Sequence, residues 1–300
     1  ALWLAAAWCC AASAGAARLD QVVANSAGGR ASLIPADRIT DFWPRPWKGA
    51  YIAGRTLSAG GFGQVLRAKV LCRDSEGDGA FHVAVKTQAV EDASDGGVLS
   101  MLMYNEHVAL AMFSGPPFIT SYHWDRYWYR IGREPKRRAM ITAMELVDGP
   151  SLEVMLLGKH DVDTMLKLFC ELLLGIGTMY DVGFVHRDIK PDNIMVLGDC
   201  GSLAGCHIRI IDFGCACTFR PAMNTTAIPC ELGVAGTPAY TPPEVWRPRK
   251  KHDDTPIWST GTADVWSAGL VLYRMLCNGS LPAASSGSRS ASRRGRRRQL

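Results

Sequence analysis

Beyond residues 1–17, the sequence has no long uncharged apolar run, so we expect no transmembrane helix. Residues 1–17 are rich in alanine and end in small residues, as the apolar region and cleavage site of a secretory signal do. They lack the basic start of such a signal, and a low-complexity extension fits them equally well. The predicted location therefore stays open between the secretory pathway, or secretion, and the cytoplasm.

The main part of the sequence also lacks an excess of either charge. The net charge is +5, but the last 16 residues contribute six arginines and no acid, which leaves 5 − 6 = −1 for the rest. A nearly neutral body argues against nucleic acid as a specific partner. The Ser/Arg-rich tail, residues 278–300, cannot bury enough apolar surface to order itself and is predicted to be disordered.

The ten cysteines are not arranged with each other or with histidines at the spacing of zinc ligands, so we predict no zinc site. Cys200 and Cys206 flank a Gly-rich turn, and Cys215, Cys217 and Cys230 follow closely in the sequence. Free thiols in a reducing cytosol and disulfides in an oxidising compartment are both compatible with this content.

The hydrophobic pattern divides the chain into a leader and two lobes. Residues 1–50 combine the apolar segment with Ala-, Gly- and Pro-rich sequence of no regular period, and we predict an extended leader. The next part predicts five antiparallel strands and one helix, with a solvated basic loop before the last strand. The following part is mainly helical. The predicted strands are 51–57, 65–72, 81–87, 121–131, 139–147, 194–197 and 208–211, and the main helices are 151–157, 162–180 and 263–276.

A glycine-rich turn lies between the first two predicted strands. Gly60 and Gly63 have no Cβ, so the backbone there can approach a polyphosphate closely. Lys86, on the third strand, can pair with phosphate oxygens. Glu106 lies on the apolar face of the first predicted helix, and a carboxylate turned towards the core needs a partner. We therefore expect Glu106 to orient the ammonium group of Lys86.

Two further motifs are much more specific. The run His186-Arg187-Asp188-Ile189-Lys190-Pro191-Asp192-Asn193 is followed, nineteen residues after Asn193, by Asp212-Phe213-Gly214. Together with the glycine-rich turn and the strand lysine, these motifs resemble the eukaryotic protein kinase family over residues 51–277. The runs 236–244 and 264–269 extend the resemblance.

The resemblance implies a two-lobed α+β protein kinase-like fold, with a small β-rich N-lobe over about 51–147 and a mainly helical C-lobe over about 148–277. It implies that the γ-phosphoryl group of ATP is transferred, with the help of Mg²⁺, to a protein hydroxyl. Lys190, two residues after Asp188, and Thr237 before a proline are typical of the serine/threonine type.

The same resemblance implies a role for each motif residue. Asp188 would accept or orient the proton of the substrate hydroxyl, and Lys190 would sit over the transferring phosphoryl group. Asn193 and Asp212 would provide oxygen ligands to Mg²⁺. An anionic group on the segment after Asp212 could pair with Arg187 and order that segment. The candidate phosphorylation sites there are Thr218, Thr225 and Thr226.

The nucleotide-binding residues follow from the resemblance as well. Lys86, oriented by Glu106, would hold the α and β phosphates. Met144 would be the gatekeeper, and the backbone from Glu145 to Val147 would form the hinge that binds adenine. The remaining residues implied to contact ATP are Leu57, Ser58, Gly60, Gly61, Phe62, Gly63, Val65 and Ala84.

The sequence departs from the family pattern at two places. Ser58 stands where the family usually has the first glycine of its loop. After the helix that contains Asp264, the family continues through further helices, so we expect a C-lobe that lacks its last helices and a Glu244 without its arginine partner. The alternatives are a catalytically impaired kinase-like binding or regulatory module, a truncated gene product, or a partner that covers the incomplete lobe. The leader and the cysteine content also resemble secreted kinases of the rhoptry type.

Overall fold

The structure is a computed structural model that describes residues 51–60, 63–70, 82–90, 98–129, 137–202, 205–218, 236–246, 262–277 and 279–282. The chain forms two compact units. Of the described residues, the first unit contains those from Tyr51 to Met103 and from Thr120 to Leu146, and the second contains Tyr104 to Ile119 and those from Val147 to Pro282.

The first unit contains a five-stranded antiparallel sheet in the order β1-β2-β3-β5-β4. Its middle strand, β3, is buried on both faces from residue 83 to residue 88. In β2, Leu66 and Ala68 are buried and alternate with more exposed neighbours, which is the period of a strand with one covered face. The strands are β1 (Tyr51–Gly60), β2 (Gly63–Val70), β3 (His82–Val90), β4 (Ser121–Tyr129) and β5 (Arg137–Glu145).

The strand register brings several predicted nucleotide contacts to one face of this sheet. Val65 and Thr142 lie opposite Lys86 on either side of β3, and Met144 lies opposite Ala84. Residues that face each other across antiparallel strands point to the same side, and so do residues two apart along one strand. Val65, Ala84, Lys86 and Met144 therefore share a face.

Most strand boundaries differ from the sequence prediction by one to three residues, and two of these differences have a clear physical reason. The predicted basic loop includes Arg137 and Arg138, but both lie in β5, where Arg138 pairs with Trp128 of β4. The charges favour a loop locally, whereas pairing with the aromatic strand β4 extends the ladder. Strand β1 continues to Gly60, beyond the predicted end at residue 57, because Gly60 still pairs with Gly63.

The second unit is mainly helical, with two-stranded pairs β6–β9 and β7–β8. None of the described helices is both long enough and apolar enough to cross a membrane. The elements are the larger part of α1 (Val98–Met112), then α2 (Leu152–Met155), α3 (Val162–Asp181), β6 (Phe184–Val185), β7 (Ile194–Leu197), β8 (His207–Ile210), β9 (Cys217–Thr218), α4 (Pro243–Trp246) and α5 (Thr262–Leu276).

Helix α3 follows directly from its sequence. Asp161 caps its first turn, because its carboxylate accepts hydrogen bonds from the backbone N–H of Thr164 at 2.8 Å and from the Thr164 hydroxyl at 2.6 Å. Its buried residues recur three or four positions apart, as the predicted helix over 162–180 requires. They include Met165, Leu168, Leu172, Ile176 and Met179.

The second half of α1 belongs to the second unit, although the sequence predicts the whole helix as part of the first lobe. Asn105 Nδ2 donates to the Ala216 carbonyl at 3.1 Å. After the helix ends, the ring of Phe113 lies 5.2 Å from that of Phe118 and 5.4 Å from that of Phe184, measured between centroids. These contacts with residues of the second unit explain why the second half of α1 belongs to that unit.

The hairpin β7–β8 is closed by a disulfide between Cys200 and Cys206, with an S–S distance of 1.98 Å. Cys217 is disulfide-bonded as well. The free thiols among the described residues are those of Cys170, Cys215 and Cys277. Of the two alternatives that the sequence leaves open, the structure therefore has disulfides in the second unit.

Candidate active site

The loop that carries Asp188 is fixed by a carboxylate from a distant helix. Asp264, in the first turn of α5 and 1% exposed, accepts the backbone N–H groups of His186 at 2.6 Å and of Arg187 at 2.8 Å. Burial raises the pKa of Asp264, and its interactions with His186 and Arg187 act in the opposite direction. Because both carboxylate oxygens are used, the loop has one position relative to α5.

The His186 ring connects the Asp188 loop to the strand that precedes Asp212. Its Nδ1 accepts the backbone N–H of Asp188 at 3.3 Å, and its Nε2 lies 3.1 Å from the Ile211 carbonyl. Since Nδ1 accepts, the proton belongs on Nε2, where the carbonyl can take it. The ring also lies 5.0 Å from the ring of Phe213. The two motifs are thus joined through one buried imidazole.

Two residues of these motifs adopt the left-handed backbone conformation without being glycine. Arg187 has φ 65° and Asp212 has φ 61°. This conformation is unfavourable for most side chains, so the surroundings must hold it in place. Arg187 is held by Asp264 at its N–H and by the Cys215 carbonyl, which accepts from Nε at 2.6 Å. Burial lowers the pKa of Arg187.

The Asp188 carboxylate lies at the centre of four hydrogen bonds. Its Oδ1 accepts the backbone N–H of Thr237 at 2.8 Å and the Thr237 hydroxyl at 2.7 Å. Its Oδ2 accepts from Lys190 Nζ at 2.7 Å and from Asn193 Nδ2 at 3.0 Å. A carboxylate has about four acceptor positions, so this group is held in orientation by its full set of donors.

Thr237 and Lys190 also contact each other. Lys190 Nζ donates to Thr237 Oγ1 at 2.8 Å, while the same hydroxyl donates to Asp188. The result is a small closed network in which an ammonium group stands beside a carboxylate. Such an arrangement can orient a hydroxyl nucleophile and stabilise negative charge that develops near it.

Gly236 allows the Thr237 segment to reach the Asp188 loop. Its φ is +96°, and a Cβ built on it would lie 2.1 Å from the Arg187 carbonyl oxygen. No side chain fits at that distance from backbone, and the conformation itself favours glycine. The contact between Thr237 and Asp188 therefore depends on glycine at this position.

Asn193 and Asp212 lie at the same end of the hairpin β7–β8. Asn193 immediately precedes β7, and its carbonyl accepts the backbone N–H of Ile211, the neighbour of Asp212, at 3.0 Å. Asn193 Nδ2 donates to the Asp188 carbonyl at 2.9 Å, which leaves the amide oxygen as the atom that can bind a cation. An amide oxygen and a carboxylate are hard donors of the kind that Mg²⁺ accepts.

This pair would not hold Mg²⁺ alone. Among the residues that the structure describes, no group of three or more His, Cys, Asp or Glu side chains is arranged to bind a metal. Mg²⁺ in proteins is commonly bound through one or two side chains together with substrate phosphates and water. The donors present fit that kind of site.

The predicted nucleotide residues of the first unit fall into two groups. Ala84, Lys86 and Met144 are buried, whereas Leu57 and Ser58 are exposed on β1. Gly61 and Phe62 lie outside the described residues. Gly60 ends β1, and Val65 lies in β2.

Gly63 has a structural reason to be glycine besides the predicted approach to phosphate. Its φ is +121°, and a Cβ at this position would lie 2.2 Å from the Thr87 carbonyl oxygen on β3. The close packing of β2 on β3 therefore excludes a side chain there. Approach to a phosphate remains a prediction.

Glu106 is 2% exposed, so the predicted inward direction of its side chain is confirmed. It lies in the second unit and Lys86 in the first, and their pairing stays a prediction. At the predicted hinge, the backbone N–H of Glu145 donates to the Thr120 carbonyl at 2.8 Å. Adenine would therefore have to bind other backbone groups of Glu145 to Val147.

Thr218 is a poor phosphorylation site in this conformation. It is 2% exposed, and its hydroxyl donates to the Gly183 carbonyl at 3.1 Å. A kinase cannot reach a hydroxyl that is buried and bonded in this way. The other two candidates, Thr225 and Thr226, lie outside the described residues.

Sequence reasoning missed two residues that organise this site. In the sequence, Thr237 serves only as a sign of the serine/threonine type. Asp264 serves only as the first residue of the run 264–269, which extends the resemblance to the kinase family. Thr237 binds a carboxylate 49 positions away, and Asp264 binds amides 77 and 78 positions away. No local period encodes such contacts, although a buried acid within an apolar helix is a signal that a partner exists.

The sequence matches a protein family and several known proteins. A family model described as protein kinase domain matches residues 51–299. The serine/threonine-protein kinase PEPKR2 of Arabidopsis thaliana is 30% identical over 234 residues, which cover 77% of this chain and 40% of that protein. CBL-interacting protein kinase 20 of Oryza sativa is 29% identical, over 77% of this chain and 45% of its own length. Sperm motility kinase 2B of Mus musculus is 30% identical, over 75% and 39%. The chain spans less than half the length of these relatives.

Replacing Gly236 by alanine should displace Thr237 from Asp188, because the new Cβ overlaps the Arg187 carbonyl. We expect the free energy of unfolding to fall by about 1 to 3 kcal/mol in urea denaturation. The matched control is Gly177→Ala on α3, where a Cβ meets nothing within 4 Å. That variant should be neutral or slightly stabilising. Equal effects of the two substitutions would contradict the close approach.

The thiol of Cys215 should resist alkylation. Burial, followed by the neighbouring charge of Asp188, raises its pKa from 9.0 to about 11, so it stays protonated at pH 8. We expect iodoacetamide to label the exposed Cys170 and Cys277 and to spare Cys215 until the chain unfolds, as read by peptide mass spectrometry. Because the folded-state pKa is raised, the stability that this thiol contributes is present below about pH 9 and is lost as the pH rises through about 11. Rapid labelling of Cys215 in the folded protein would contradict this account.

Proposed function

Because the chain belongs to the eukaryotic-type protein kinase family, we propose that it is a serine/threonine kinase that transfers the γ-phosphoryl group of ATP to a protein hydroxyl. The observation that carries this proposal is the network around Asp188, in which Lys190, Asn193 and Thr237 all donate to one carboxylate. Phosphoryl transfer depends chiefly on positioning and on neutralising charge, and this network provides a fixed acceptor with an adjacent cation.

In the proposed reaction, Asp188 orients the serine or threonine hydroxyl and takes its proton. The hydroxyl oxygen forms a bond to the γ-phosphorus of ATP while the bond from that phosphorus to the β–γ bridging oxygen breaks, and ADP leaves. Lys190 is close enough to Asp188, at 2.7 Å, to place its charge beside the phosphoryl group during this step. Thr237 keeps the carboxylate and the ammonium group in register.

Asn193 and Asp212 would hold Mg²⁺ through their side-chain oxygens. When bound, the ion neutralises charge on the phosphates. The Asn193 side chain is already oriented by its two bonds to Asp188, and the hairpin β7–β8 holds the backbone of Asn193 beside that of Ile211. The proposed ligands thus come from elements that the fold itself fixes.

Binding of ATP to the first unit is proposed from the shared face of its sheet. Lys86 would pair with the α and β phosphates, with Glu106 as its orienting acid. Val65, Ala84 and Met144 lie on the same side of the sheet as Lys86 and offer an apolar surface to the adenine ring. Leu57, Ser58 and the glycines of the β1–β2 connection would cover the nucleotide from β1.

Asp188→Asn is the direct test of the proposed function. The amide cannot take a proton, so we expect the rate of ³²P transfer from Mg·ATP to a protein substrate to fall about 100- to 10,000-fold. The matched control is Asp163→Asn, the same chemical change at an exposed position on α3, which should leave the rate unchanged. Nucleotide affinity, measured by calorimetry, should be similar in all three proteins.

The outcomes separate the two functions that the sequence leaves open. If the parent chain transfers phosphate and Asp188→Asn does not, the chain is an enzyme. If the parent chain binds Mg·ATP and transfers no phosphate to any protein substrate, a kinase-like binding or regulatory module is the better description. If it binds no nucleotide, the proposed role of Lys86 is wrong as well.

We also propose that the chain folds in an oxidising compartment. The disulfide between Cys200 and Cys206 supports this, because such bonds persist mainly outside the reducing cytosol. We expect a reporter protein fused behind residues 1–17 to enter the secretory pathway, and native chain to show Cys200 linked to Cys206 in non-reducing peptide mapping. A cytosolic reporter together with two free thiols would contradict the proposal. The resemblance to rhoptry-type kinases stays a prediction.

A further inference from the structure

Outside the Asp188 network, Arg274 forms four side-chain hydrogen bonds in the second unit. It lies in the last turn of α5. Its guanidinium group donates to both carboxylate oxygens of Glu153, one of them at 2.9 Å, to the Tyr240 hydroxyl at 2.7 Å and to the Gly279 carbonyl at 2.7 Å. The Arg274 side chain is 13% exposed and that of Glu153 is 33% exposed, so the pair is only partly shielded from water and its role lies in fixing the guanidinium group more than in the attraction of the two charges.

Tyr240 is the partner that leads from Arg274 towards the active site. It is 5% exposed, and its hydroxyl accepts from Arg274. Its backbone carbonyl accepts from Ser267 Oγ at 2.9 Å, and its backbone N–H donates to the Thr237 carbonyl at 2.9 Å. Tyr240 is therefore tied to α5 through both its side chain and its backbone, and it is tied directly to Thr237.

The turn between Thr237 and Thr241 is closed tightly enough to transmit a displacement. The Thr237 carbonyl accepts not only from Tyr240 but also from the backbone N–H of Thr241 at 3.2 Å and from its hydroxyl at 3.0 Å. The N–H and hydroxyl of Thr237 both bind Asp188 Oδ1. A shift of Tyr240 would thus move the group that orients the Asp188 carboxylate.

Helix α5 holds both sides of the contact between Thr237 and Asp188, namely the 237–241 turn and the Asp188 loop. Asp264, Ser267 and Arg274 are separated by three and seven residues, which places them on one face of the helix. Asp264 holds the backbone of the Asp188 loop, whereas Ser267 and Arg274 hold Tyr240. With a rise of about 1.5 Å per residue, Arg274 acts about 15 Å along the helix from Asp264.

We propose that Arg274 is a positioning residue for phosphoryl transfer, which holds the 237–241 turn through Tyr240 so that Thr237 keeps Asp188 and Lys190 in register. The inference rests on the proposed kinase function and deepens it. Arginine suits this role because its planar group offers five donors in fixed directions. Glu153 holds the guanidinium plane with two bonds, and this leaves one edge for Tyr240 and Nε for Gly279.

The test compares Tyr240→Phe with Arg274→Gln. The first removes one hydroxyl and keeps the ring, and the second removes the charge and most of the donors. We expect each to lower kcat for a protein substrate about tenfold, while KM for Mg·ATP changes less than twofold. The double variant should be no slower than the slower single variant, because both substitutions break the same link.

A matched control separates positioning from loss of stability. Asp161→Ala removes the cap of α3 and should lower the melting temperature, but the side-chain hydrogen bonds of Asp161 go to Thr164 within α3. We expect its kcat, measured well below its melting temperature, to equal that of the parent chain. If Tyr240→Phe and Arg274→Gln keep kcat within twofold of the parent chain, or if their effects multiply in the double variant, the proposal is wrong.

A readout that does not need activity keeps the proposal testable if the parent chain transfers no phosphate. Amide hydrogen exchange reports whether the Thr237 N–H remains bonded to Asp188. We expect faster exchange across residues 236–241 in Tyr240→Phe and in Arg274→Gln, with no change in the buried middle of α3. Unchanged exchange in 236–241 would overturn the positioning role whatever the activity of the chain. If the parent chain is inactive and the two variants still exchange faster across residues 236–241, the link from Arg274 through Tyr240 to Thr237 is supported. Only the proposed kinase function is then rejected.

Discussion

The buried carboxylate of Asp264 is the interaction on which the rest of the active site depends. An ionised carboxylate can leave water only where donors replace its hydration, and here the donors are the backbone N–H groups of His186 and Arg187. These two bonds set the path of the chain as it enters Asp188. They also hold the left-handed conformation of Arg187, which an arginine would not adopt without such restraint. The helix and the loop therefore determine each other's position.

The other active-site contacts extend from this fixed loop in three directions. His186 reaches the strand before Asp212, Asn193 continues into the hairpin β7–β8, and Asp188 receives Thr237 from the segment after Gly236. Each contact uses a backbone group or a short side chain with few rotamers. Short, stiff connections lose little conformational entropy when they are ordered, so the carboxylate can be oriented at modest cost. Lys190 is the exception among the donors to Asp188, because it has a long side chain with many rotamers.

The sequence predicts the regular elements well and the long-range contacts poorly, for separate physical reasons. Helix α3 was predicted at 162–180 and observed as Val162–Asp181, because a cap and a sustained apolar period are both local signals. The predicted start of β5, at residue 139, is wrong, because Arg137 and Arg138 indicate a loop until the pairing with β4 is known. Strands β6 and β9 have two residues each, too few for any period to predict them. The motif around Asp188 could be found from residue order alone, whereas the Thr237 contact requires the folded chain.

The saturated carboxylate of Asp188 constrains how a substrate hydroxyl can approach. All four acceptor positions are occupied, so a new donor must share an oxygen atom or replace a present partner. The Thr237 N–H belongs to a closed turn, and the Asn193 amide is buried and also bonded to the Asp188 carbonyl. Lys190 is different, because its side chain is 20% exposed and its ammonium group sits on a flexible stem. In the proposed reaction Lys190 is thus the donor that can yield Oδ2 to the hydroxyl and turn its charge towards the phosphoryl group, while its bond to Thr237 keeps the ammonium group beside the carboxylate.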